Sequence, residues 1–115
     1  MLVAIDYDGT ITSNYNFYVQ LTSMLIKSGH TVIILSGCNP SRIKEIYIDL
    51  AHNGITYHKL ISRPKHVISG PQSIGKWKRQ MIEYLKVDVW FDNEIKNYQD
   101  AGVDYSDLPV NLVKV

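Results

Sequence analysis

The chain has 115 residues, of which 45% are hydrophobic and 20% charged, with a formal net charge of +1 at pH 7. This composition excludes wholesale disorder and low-complexity architectures. The longest apolar runs (residues 1–5 and 32–35) are too short to span a membrane, and the single cysteine excludes a disulfide framework. We therefore expect one catalytic domain over residues 1–115, in the reducing environment of the cytoplasm and without a membrane partner.

In the first half of the chain, short apolar runs alternate with segments that have helical spacing. Residues 3–5 and 31–35 are apolar runs typical of buried parallel strands. Asn14 or Asn16 is the expected cap of a helix that continues to about Lys27. Asn39 followed by Pro40 predicts the start of a second helix, which ends at residues 53–54.

The second half of the chain repeats this alternation. Residues 55–60 indicate a weaker third strand, residues 61–72 a loop, and Ser73 the cap of a third helix. Residues 87–91 indicate a strand, residues 95–101 a short helix and residues 110–115 a last edge strand. Strands that alternate with helices predict an α/β fold with an open parallel sheet, which binds ligands at the carboxyl ends of its strands.

Polar residues follow three of these predicted strands. Asp6 follows the first strand, Ser36 the second and Asp92 the fourth, so a parallel sheet would bring them to one edge. Asp6 and Asp8 lie two residues apart on a turn that Gly9 permits, and both can face one site. Paired carboxylates suit Mg²⁺, and they also suit a division of labour between a nucleophile and an acid/base group. A purely structural turn is the alternative.

Four segments resemble, in order, the motifs of the haloacid dehalogenase (HAD) superfamily of phosphatases. Residues 5–11 (IDYDGTI) resemble its first motif, hDxDGTh, and residues 32–37 (VIILSG) resemble the second, an apolar strand that ends in Ser or Thr. Residues 75–78 (GKWK) resemble the helix-borne lysine of the third motif, and residues 89–94 (VWFDNE) resemble the acidic fourth. The resemblance covers nearly the whole chain and implies a three-layer, Rossmann-like (HAD-like) fold with helices on both sides of the sheet.

The resemblance also implies a role for each matched residue in a Mg²⁺-dependent phosphomonoester hydrolase. Asp6 would attack the phosphorus to form an aspartyl-phosphate, and Asp8 would serve as acid and then as base. Mg²⁺ would be held by Asp6, by the backbone carbonyl of Asp8 and by Asp92. A lysine would neutralise the phosphoryl oxygens, and the remaining groups expected near the phosphate are Thr10, Ser36 and Gly37.

Two features of the motifs leave alternatives open. Lys76 and Lys78 lie two residues apart and cannot share a helix face, and the apolar residues that follow favour Lys78 as the phosphate-binding lysine. Asn93 stands where many members of the superfamily have a second acid, and Glu94 could supply the missing charge. Metal binding therefore depends on what Asn93 and Glu94 do.

The spacing of the motifs leaves no room for the inserted cap domain through which many members recognise substrates. Ser36 follows Asp6 by 30 residues, and Lys78 follows Ser36 by 42. An uncapped site is open to bulky substrates or is covered by a second copy in a homo-oligomer. Residues 60–64 (LISRP) and 77–78 also resemble, more loosely, the phosphatase domain of polynucleotide kinase-phosphatases, although Cys38 replaces an arginine often found there. This similarity implies a nucleotide or a 3′-phosphorylated nucleic-acid end as substrate, and another phosphorylated small molecule is the alternative.

Charge is distributed unevenly along the chain. Residues 51–82 contain no Asp or Glu but six basic residues, which predicts a side that faces a polyanion or, alternatively, a solvated basic face. Arg63, Lys65 and Arg79 are the candidates to contact phosphates beyond the one that is cleaved. Two other functions remain open: a receiver-like phospho-acceptor module and a catalytically silent phosphate-binding signalling module. Paired acids at the start of the chain favour the phosphatase over the receiver.

Overall fold

Five strands form one sheet in the computed structural model, which describes residues 1–115. The strands are β1 (Leu2–Ile5), β2 (Thr31–Ser36), β3 (Lys59–Ser62), β4 (Val89–Asp92) and β5 (Asn111–Lys114). Their order across the sheet is β3-β2-β1-β4-β5, and every neighbouring pair is parallel. This confirms the open parallel sheet predicted from the alternation of strands and helices.

Four α-helices connect the strands: α1 (Tyr15–Lys27), α2 (Ile43–His52), α3 (Pro71–Leu85) and α4 (Ile95–Asp100). The Asn14 side chain accepts a hydrogen bond from the Phe17 N–H at 3.1 Å and caps α1, as the first of the two predicted caps. Asn39 caps a 3-10 turn, Pro40–Arg42, which comes before α2. The second predicted helix therefore begins as a 3-10 turn and becomes α-helical only at Ile43.

The strands bury side chains on both faces, which produces three layers. Val3 and Ile5 belong to one core cluster and Ala4 to the other, because successive residues of a strand point to opposite faces. The first cluster includes Tyr18, Ile46 and Leu50 from α1 and α2, and the second includes Trp77, Ile82, Ile95 and Tyr98 from α3 and α4. Helices thus cover both faces, in agreement with the three-layer Rossmann-like arrangement expected from the sequence.

Two strand predictions are wrong at their starts, for the same physical reason. The third strand begins at Lys59 rather than residue 55, because the Ile55 N–H bonds the Leu50 carbonyl at 3.0 Å and closes the end of α2. The fourth strand begins at Val89 rather than residue 87, because the Val87 N–H bonds the Ile82 carbonyl at 3.0 Å and closes α3. In both places an apolar residue closes the end of a helix, and in the sequence it looks like the first residue of a strand.

The start of the third helix also differs from the prediction. Gly70, with φ of 119°, occupies the cap position, and Pro71 is the first residue of the helix. Glycine reaches this backbone conformation without strain, and proline suits the first helical turn. Ser73 is therefore inside α3 rather than its cap, and the loop predicted over residues 61–72 contracts to residues 63–70.

The strand order creates a crevice between β1 and β4. From β1 the chain moves outward to β2 and β3, then returns through α3 to β4 on the other side of β1. β1 continues toward α1 on one face and β4 into α4 on the opposite face, so the crossovers diverge at this point. Ligands bind at such a switch point in open α/β sheets. Asp6 follows β1 and Asp92 ends β4, so the two acids flank the crevice.

The connections between strands are short. Only a 3-10 turn (Ile11–Ser13) and α1 lie between β1 and β2, and α2 with a second 3-10 turn lies between β2 and β3. The carboxyl edge of the sheet is therefore not covered by an inserted domain.

None of the helices has the length and apolar character that crossing a bilayer requires.

Candidate active site

Three charged side chains meet in the interior at the crevice between β1 and β4. Lys78 Nζ, from α3, donates hydrogen bonds to Asp6 Oδ1 at 2.8 Å and to Asp92 Oδ2 at 2.6 Å. The side chains of Lys78, Asp6 and Asp92 are only 1%, 6% and 0% exposed. An unpaired charge at this depth would be very unfavourable, so each of the three groups depends on the others.

Two acidic side chains share one ammonium group in this cluster. Burial raises the pKa of Asp6 to about 6, with Lys78 opposing this shift and Asp92 adding to it. Burial alone would lower the pKa of Lys78, but the carboxylates of Asp6 and Asp92 outweigh that effect and raise it. Asp6 therefore lies beside a lysine that stays protonated at neutral pH, which favours the ionised form that attack by a carboxylate requires.

Close packing around α3 holds Lys78 in position. A Cβ atom on Gly37 would lie 2.7 Å from Ile74 Cγ2, and one on Gly75 would lie 2.8 Å from Tyr98 Cβ. α3 therefore approaches the end of β2 and the helix α4 as closely as glycine allows. Lys78 Nζ also lies 5.5 Å from the centre of the Tyr98 ring, at a distance typical of a cation–π contact.

Asp8 shares the cleft with Asp6 but lies at the surface. Its Oδ2 atom accepts a hydrogen bond from Arg42 Nη1 at 3.0 Å, and the two side chains are 48% and 38% exposed. The cleft has a volume of about 180 Å³ and is lined by Asp6, Asp8, Gly37, Cys38, Ile74, Lys78, Glu94 and Tyr98. The structure thus brings the two predicted acids to one cleft, in very different surroundings.

The loop that follows β1 packs against Asn93. Gly9 has φ of 80°, and a Cβ atom there would overlap the Asn93 carboxamide. The Thr10 hydroxyl donates to Asp6 Oδ2 at 3.1 Å and accepts from the Asn93 N–H at 3.1 Å. The end of the Asn93 carboxamide lies 3.0 Å from Asp6 Oδ2 and 3.1 Å from the Asp8 carbonyl oxygen. Both of these oxygens are acceptors, so the atom between them is the amide nitrogen. Through its contacts with Asp6 and Asn93, the Thr10 hydroxyl holds the loop after β1 in place.

These same groups bear on the expected Mg²⁺. A half-turn of the Asn93 amide places its oxygen beside Asp6 Oδ2 and the Asp8 carbonyl, which gives three hard oxygen donors suited to Mg²⁺. Asp92, also predicted as a ligand, has its Oδ2 atom in contact with Lys78, and its Oδ1 atom accepts from the Glu94 N–H at 2.8 Å. Each of these oxygens keeps a second lone pair, so its role as a ligand stays a prediction. No three acidic, imidazole or thiol side chains are close enough to hold a metal by themselves. The residues therefore fit Mg²⁺ when the Asp8 carbonyl, with or without Asn93, joins the carboxylates.

The other predicted residues lie in three kinds of place: in the cleft, buried beside it, or on the surface elsewhere. Ser36 is 1% exposed at the end of β2, and its Oγ atom accepts from the Cys38 N–H at 3.2 Å. Gly37 and Cys38 line the cleft directly. Lys76 is exposed and borders a separate depression of the surface, whereas Lys78 contacts Asp6. Of the two lysines, the structure places only Lys78 in the cleft.

The basic residues predicted to face a polyanion do not form one surface. Arg63 is only 8% exposed, and its Nε atom donates to the Gly37 carbonyl at 3.0 Å. Arg79 pairs with Asp107 at 2.8 Å and borders the separate depression. Lys65 is exposed in the loop after β3. Arg63 therefore supports the cleft from inside, and Arg79 faces an acidic neighbour elsewhere.

Two tyrosines join the loop after β1 to α2, a contact that was not predicted from the sequence. The Tyr7 hydroxyl donates to Asp49 Oδ2, and the Tyr15 hydroxyl donates to the same oxygen at 2.6 Å. Burial raises the pKa of Tyr7, and Asp49 raises it further. Burial alone would raise the pKa of Asp49, but the hydrogen bonds from Tyr15 and Tyr7 hold it below its ordinary value of 3.8. Tyr7 lies between the two cleft acids, so this network positions their loop.

Comparisons with known proteins bear on the fold. No protein-family model matches the sequence, and no curated protein matches it. A chain in the structure of the Pnkp1/Rnl/Hen1 RNA repair complex is similar to 99% of this chain, with a TM-score of 0.70 and 20% sequence identity. A chain in a second structure of the Pnkp1/Rnl/Hen1 complex gives the same TM-score and identity. This protein covers 42% and 45% of those two chains, less than half of each, and the likeness shows a shared fold.

Proposed function

We propose that this chain is a Mg²⁺-dependent phosphatase of the HAD type, which forms an aspartyl-phosphate and acts on a phosphorylated nucleic-acid end. The observation that carries this proposal is the buried contact of Asp6 with Lys78, at the crevice between β1 and β4 and at the floor of an open cleft. An ionised carboxylate beside a protonated ammonium suits attack on phosphorus, where developing negative charge must be neutralised.

The first half of the proposed reaction transfers the phosphoryl group to the protein. An Asp6 oxygen forms a bond to phosphorus as the bond to the leaving oxygen breaks. Asp8, which takes up a proton from solvent before this step, gives that proton to the leaving oxygen. Lys78 is already within 2.8 Å of Asp6 and would balance the charge of the incoming phosphate. Mg²⁺, when bound by Asp6, the Asp8 carbonyl and Asn93, would supply further neutralisation of the phosphoryl oxygens.

The second half of the reaction regenerates Asp6. Asp8 takes a proton from a water molecule, which attacks the phosphorus and releases inorganic phosphate. Asp8 suits both proton transfers because its side chain is 48% exposed and lines the cleft, so water reaches it. Asp6 suits the covalent step because its neighbours hold it in one place.

The choice of substrate rests on two observations. The cleft is not covered by an inserted domain, so it admits a large substrate. Chains with a similar fold occur in structures of an RNA repair complex. We propose a 3′-phosphorylated nucleic-acid end or a nucleotide as the substrate, and a cleft covered by a second copy of this chain is the alternative to a bulky substrate. A receiver-like module is less well supported, because the strand order here is 3-2-1-4-5, whereas flavodoxin-like receivers have 2-1-3-4-5.

The test is phosphate release from a panel of substrates: RNA and DNA oligonucleotides with a 3′- or 5′-phosphate, mononucleotides and an aryl phosphate. We expect turnover with Mg²⁺, loss of turnover in EDTA, recovery when Mg²⁺ is restored, and no turnover by Asp6→Asn. Phosphate binding by the wild-type chain without release from any substrate would instead support the silent phosphate-binding module.

A further inference from the structure

Arg42 is a cation at the cleft that the proposed reaction does not use. Lys78 and Arg63 are both buried and held by partners, and Lys76 and Arg79 border the separate depression. Arg42, by contrast, has a side chain that is 38% exposed and contacts Asp8, a residue that lines the cleft. A substrate that extends out of the cleft past Asp8 would meet this guanidinium group.

The partners of Arg42 leave most of its hydrogen-bonding capacity unused. Nη1 contacts Asp8 at 3.0 Å, and Nη2 approaches Glu45 at 3.6 Å, which is too long for a good hydrogen bond. A guanidinium group has five N–H donors in a planar fork, so several are available to a second anion. Ion pairs this exposed contribute little to stability and exchange partners easily.

The position of Arg42 is set by the main chain. It is the last residue of the 3-10 turn Pro40–Arg42, which Asn39 caps with a 3.0 Å hydrogen bond to the Ser41 N–H. This turn follows β2 at the carboxyl edge of the sheet, the edge at which the cleft opens. Arg42 therefore lies beside the cleft, while Lys78 lies at its floor.

We propose that Arg42 binds the phosphodiester next to the terminal phosphate, and so makes the cleft selective for nucleic-acid ends over isolated phosphomonoesters. This inference rests on the proposed function. When substrate binds, the guanidinium group turns from Asp8 to the non-bridging oxygens of that phosphodiester, which it meets with two parallel N–H donors. Asp8 is then released from its ion pair, within reach of the leaving oxygen.

The test compares two variants, each of which replaces one arginine by glutamine. The two arginines have similar partners but lie at different places on the surface. Arg42→Gln removes the guanidinium group beside the cleft. Arg79→Gln is the matched control, because Arg79 also pairs with an aspartate and a nearby glutamate but borders the separate depression. The readout is the ratio of kcat/KM for a 3′-phosphorylated oligonucleotide to kcat/KM for an aryl phosphate, measured at several salt concentrations.

We expect Arg42→Gln to lower this ratio by about tenfold to a hundredfold, through the KM of the oligonucleotide, because a charged hydrogen bond is lost. The slope of the logarithm of oligonucleotide affinity against the logarithm of salt concentration should also fall by about one, because one counterion fewer is released on binding. Arg79→Gln should leave the ratio within about twofold. An unchanged ratio in Arg42→Gln, or an equal fall in both variants, overturns the role of Arg42. If the wild-type chain releases no phosphate from either substrate, the proposed function fails instead, so the two failures are distinguishable.

Discussion

Asp6 and Asp8 are two residues apart in the chain, but they occupy opposite environments. The side chain of Asp6 is 6% exposed and contacts the buried Lys78, whereas that of Asp8 is 48% exposed and contacts Arg42 at the surface. Breaking a buried ion pair typically costs about 3–5 kcal/mol, while an exposed pair contributes about 0–1 kcal/mol. One turn therefore supplies a carboxylate in a fixed position and a second one that water can reach.

The difference originates in the end of β1. The Asp6 N–H still bonds the Phe91 carbonyl at 2.8 Å, so Asp6 belongs to the sheet in its hydrogen bonding. Asp8 comes after this last sheet contact, on the turn that Gly9 permits with φ of 80°. A strand that ends between two acids thus separates the proposed nucleophile from the proposed proton-transfer group.

The largest effect on stability should come from the buried side of this comparison. Lys78→Met leaves Asp6 and Asp92 without a counter-charge, so the free energy of unfolding should fall by about 3–5 kcal/mol. Urea denaturation measures this change. Lys76→Met, on an exposed residue of the same helix, is the control and should change stability by less than about 0.5 kcal/mol. Equal effects of the two substitutions would contradict the structural role given to Lys78.

The largest effect on turnover should come from Asp6→Asn. The amide has nearly the same shape as the carboxylate, so the fold is kept, but the nucleophile is lost. We expect kcat/KM to fall more than about 100-fold, which corresponds to roughly 3 kcal/mol of barrier. Circular dichroism checks the fold. A variant that keeps more than about a hundredth of wild-type activity would rule out Asp6 as the nucleophile.

Asp8→Asn sharpens the division of labour between the two acids. Because Asp8 is proposed to activate the water that hydrolyses the intermediate, its loss should slow turnover about 100-fold and trap phosphorylated protein. Intact-mass measurement after mixing with substrate detects that species. The Asp6→Asn variant, which has no acceptor carboxylate, should show none. Phosphorylated protein in both variants would mean that the phosphoryl group is attached elsewhere.

A smaller effect concerns Asp49, which holds Tyr7 between the two cleft acids. Its pKa is lower in the folded chain than its ordinary value of 3.8, so its stabilising effect is present above pH 3.8 and disappears as pH falls through the folded value. Asp49→Asn should lower the free energy of unfolding by about 1–2 kcal/mol at pH 7, and the difference from wild type should shrink on acidification.

Urea denaturation of wild type and Asp49→Asn at pH 7 and near pH 3 checks this expectation. Asp100→Asn is a suitable control, because Asp100 is 63% exposed and pairs only with Lys96 at the surface. A difference between wild type and Asp49→Asn that stays constant over this range would show that the network does not depend on the charge of Asp49.

The smallest effect should come from the exposed side of the comparison. The ion pair between Asp8 and Arg42 is partly hydrated, so Arg42→Gln should change the free energy of unfolding by less than about 1 kcal/mol. Thermal denaturation at low and high salt measures this change. A larger loss would mean that the pair holds the loop in place, and that the two acids differ less than their exposure indicates.

Much of the fold could be predicted because local patterns determine it. Residues 32–35 are buried without exception, as expected for a central strand with helices on both faces. The predictions failed where an apolar residue closes a helix, at Ile55 and Val87, because hydrophobicity alone does not distinguish that role from the start of a strand. Gly70 and Pro71 were available as a helix-start signal, but Ser73 is the more usual cap.

The candidate site was less accessible to prediction. The motif-like segments of the sequence pointed to three residues that the structure places in contact: Asp6, Lys78 and Asp92. The contact of Arg42 with Asp8 spans 34 residues, and that of Tyr7 with Asp49 spans 42. Nothing in the neighbouring sequence identifies such partners, because they depend on how the helices pack on the sheet.

The contact of Lys78 with both acids has a consequence for how the chain folds. It joins Lys78 to Asp6, which is 72 residues away in the sequence, and to Asp92, which is 14 residues away. Both contacts form through the crossover that brings β4 beside β1. Contacts between distant positions form late, because the intervening chain must first be ordered. Until α3 docks, all three charges remain hydrated, so we expect their desolvation to accompany the final closure of the structure. During refolding, catalytic competence should then return after most of the helical signal, as the last property that the chain acquires.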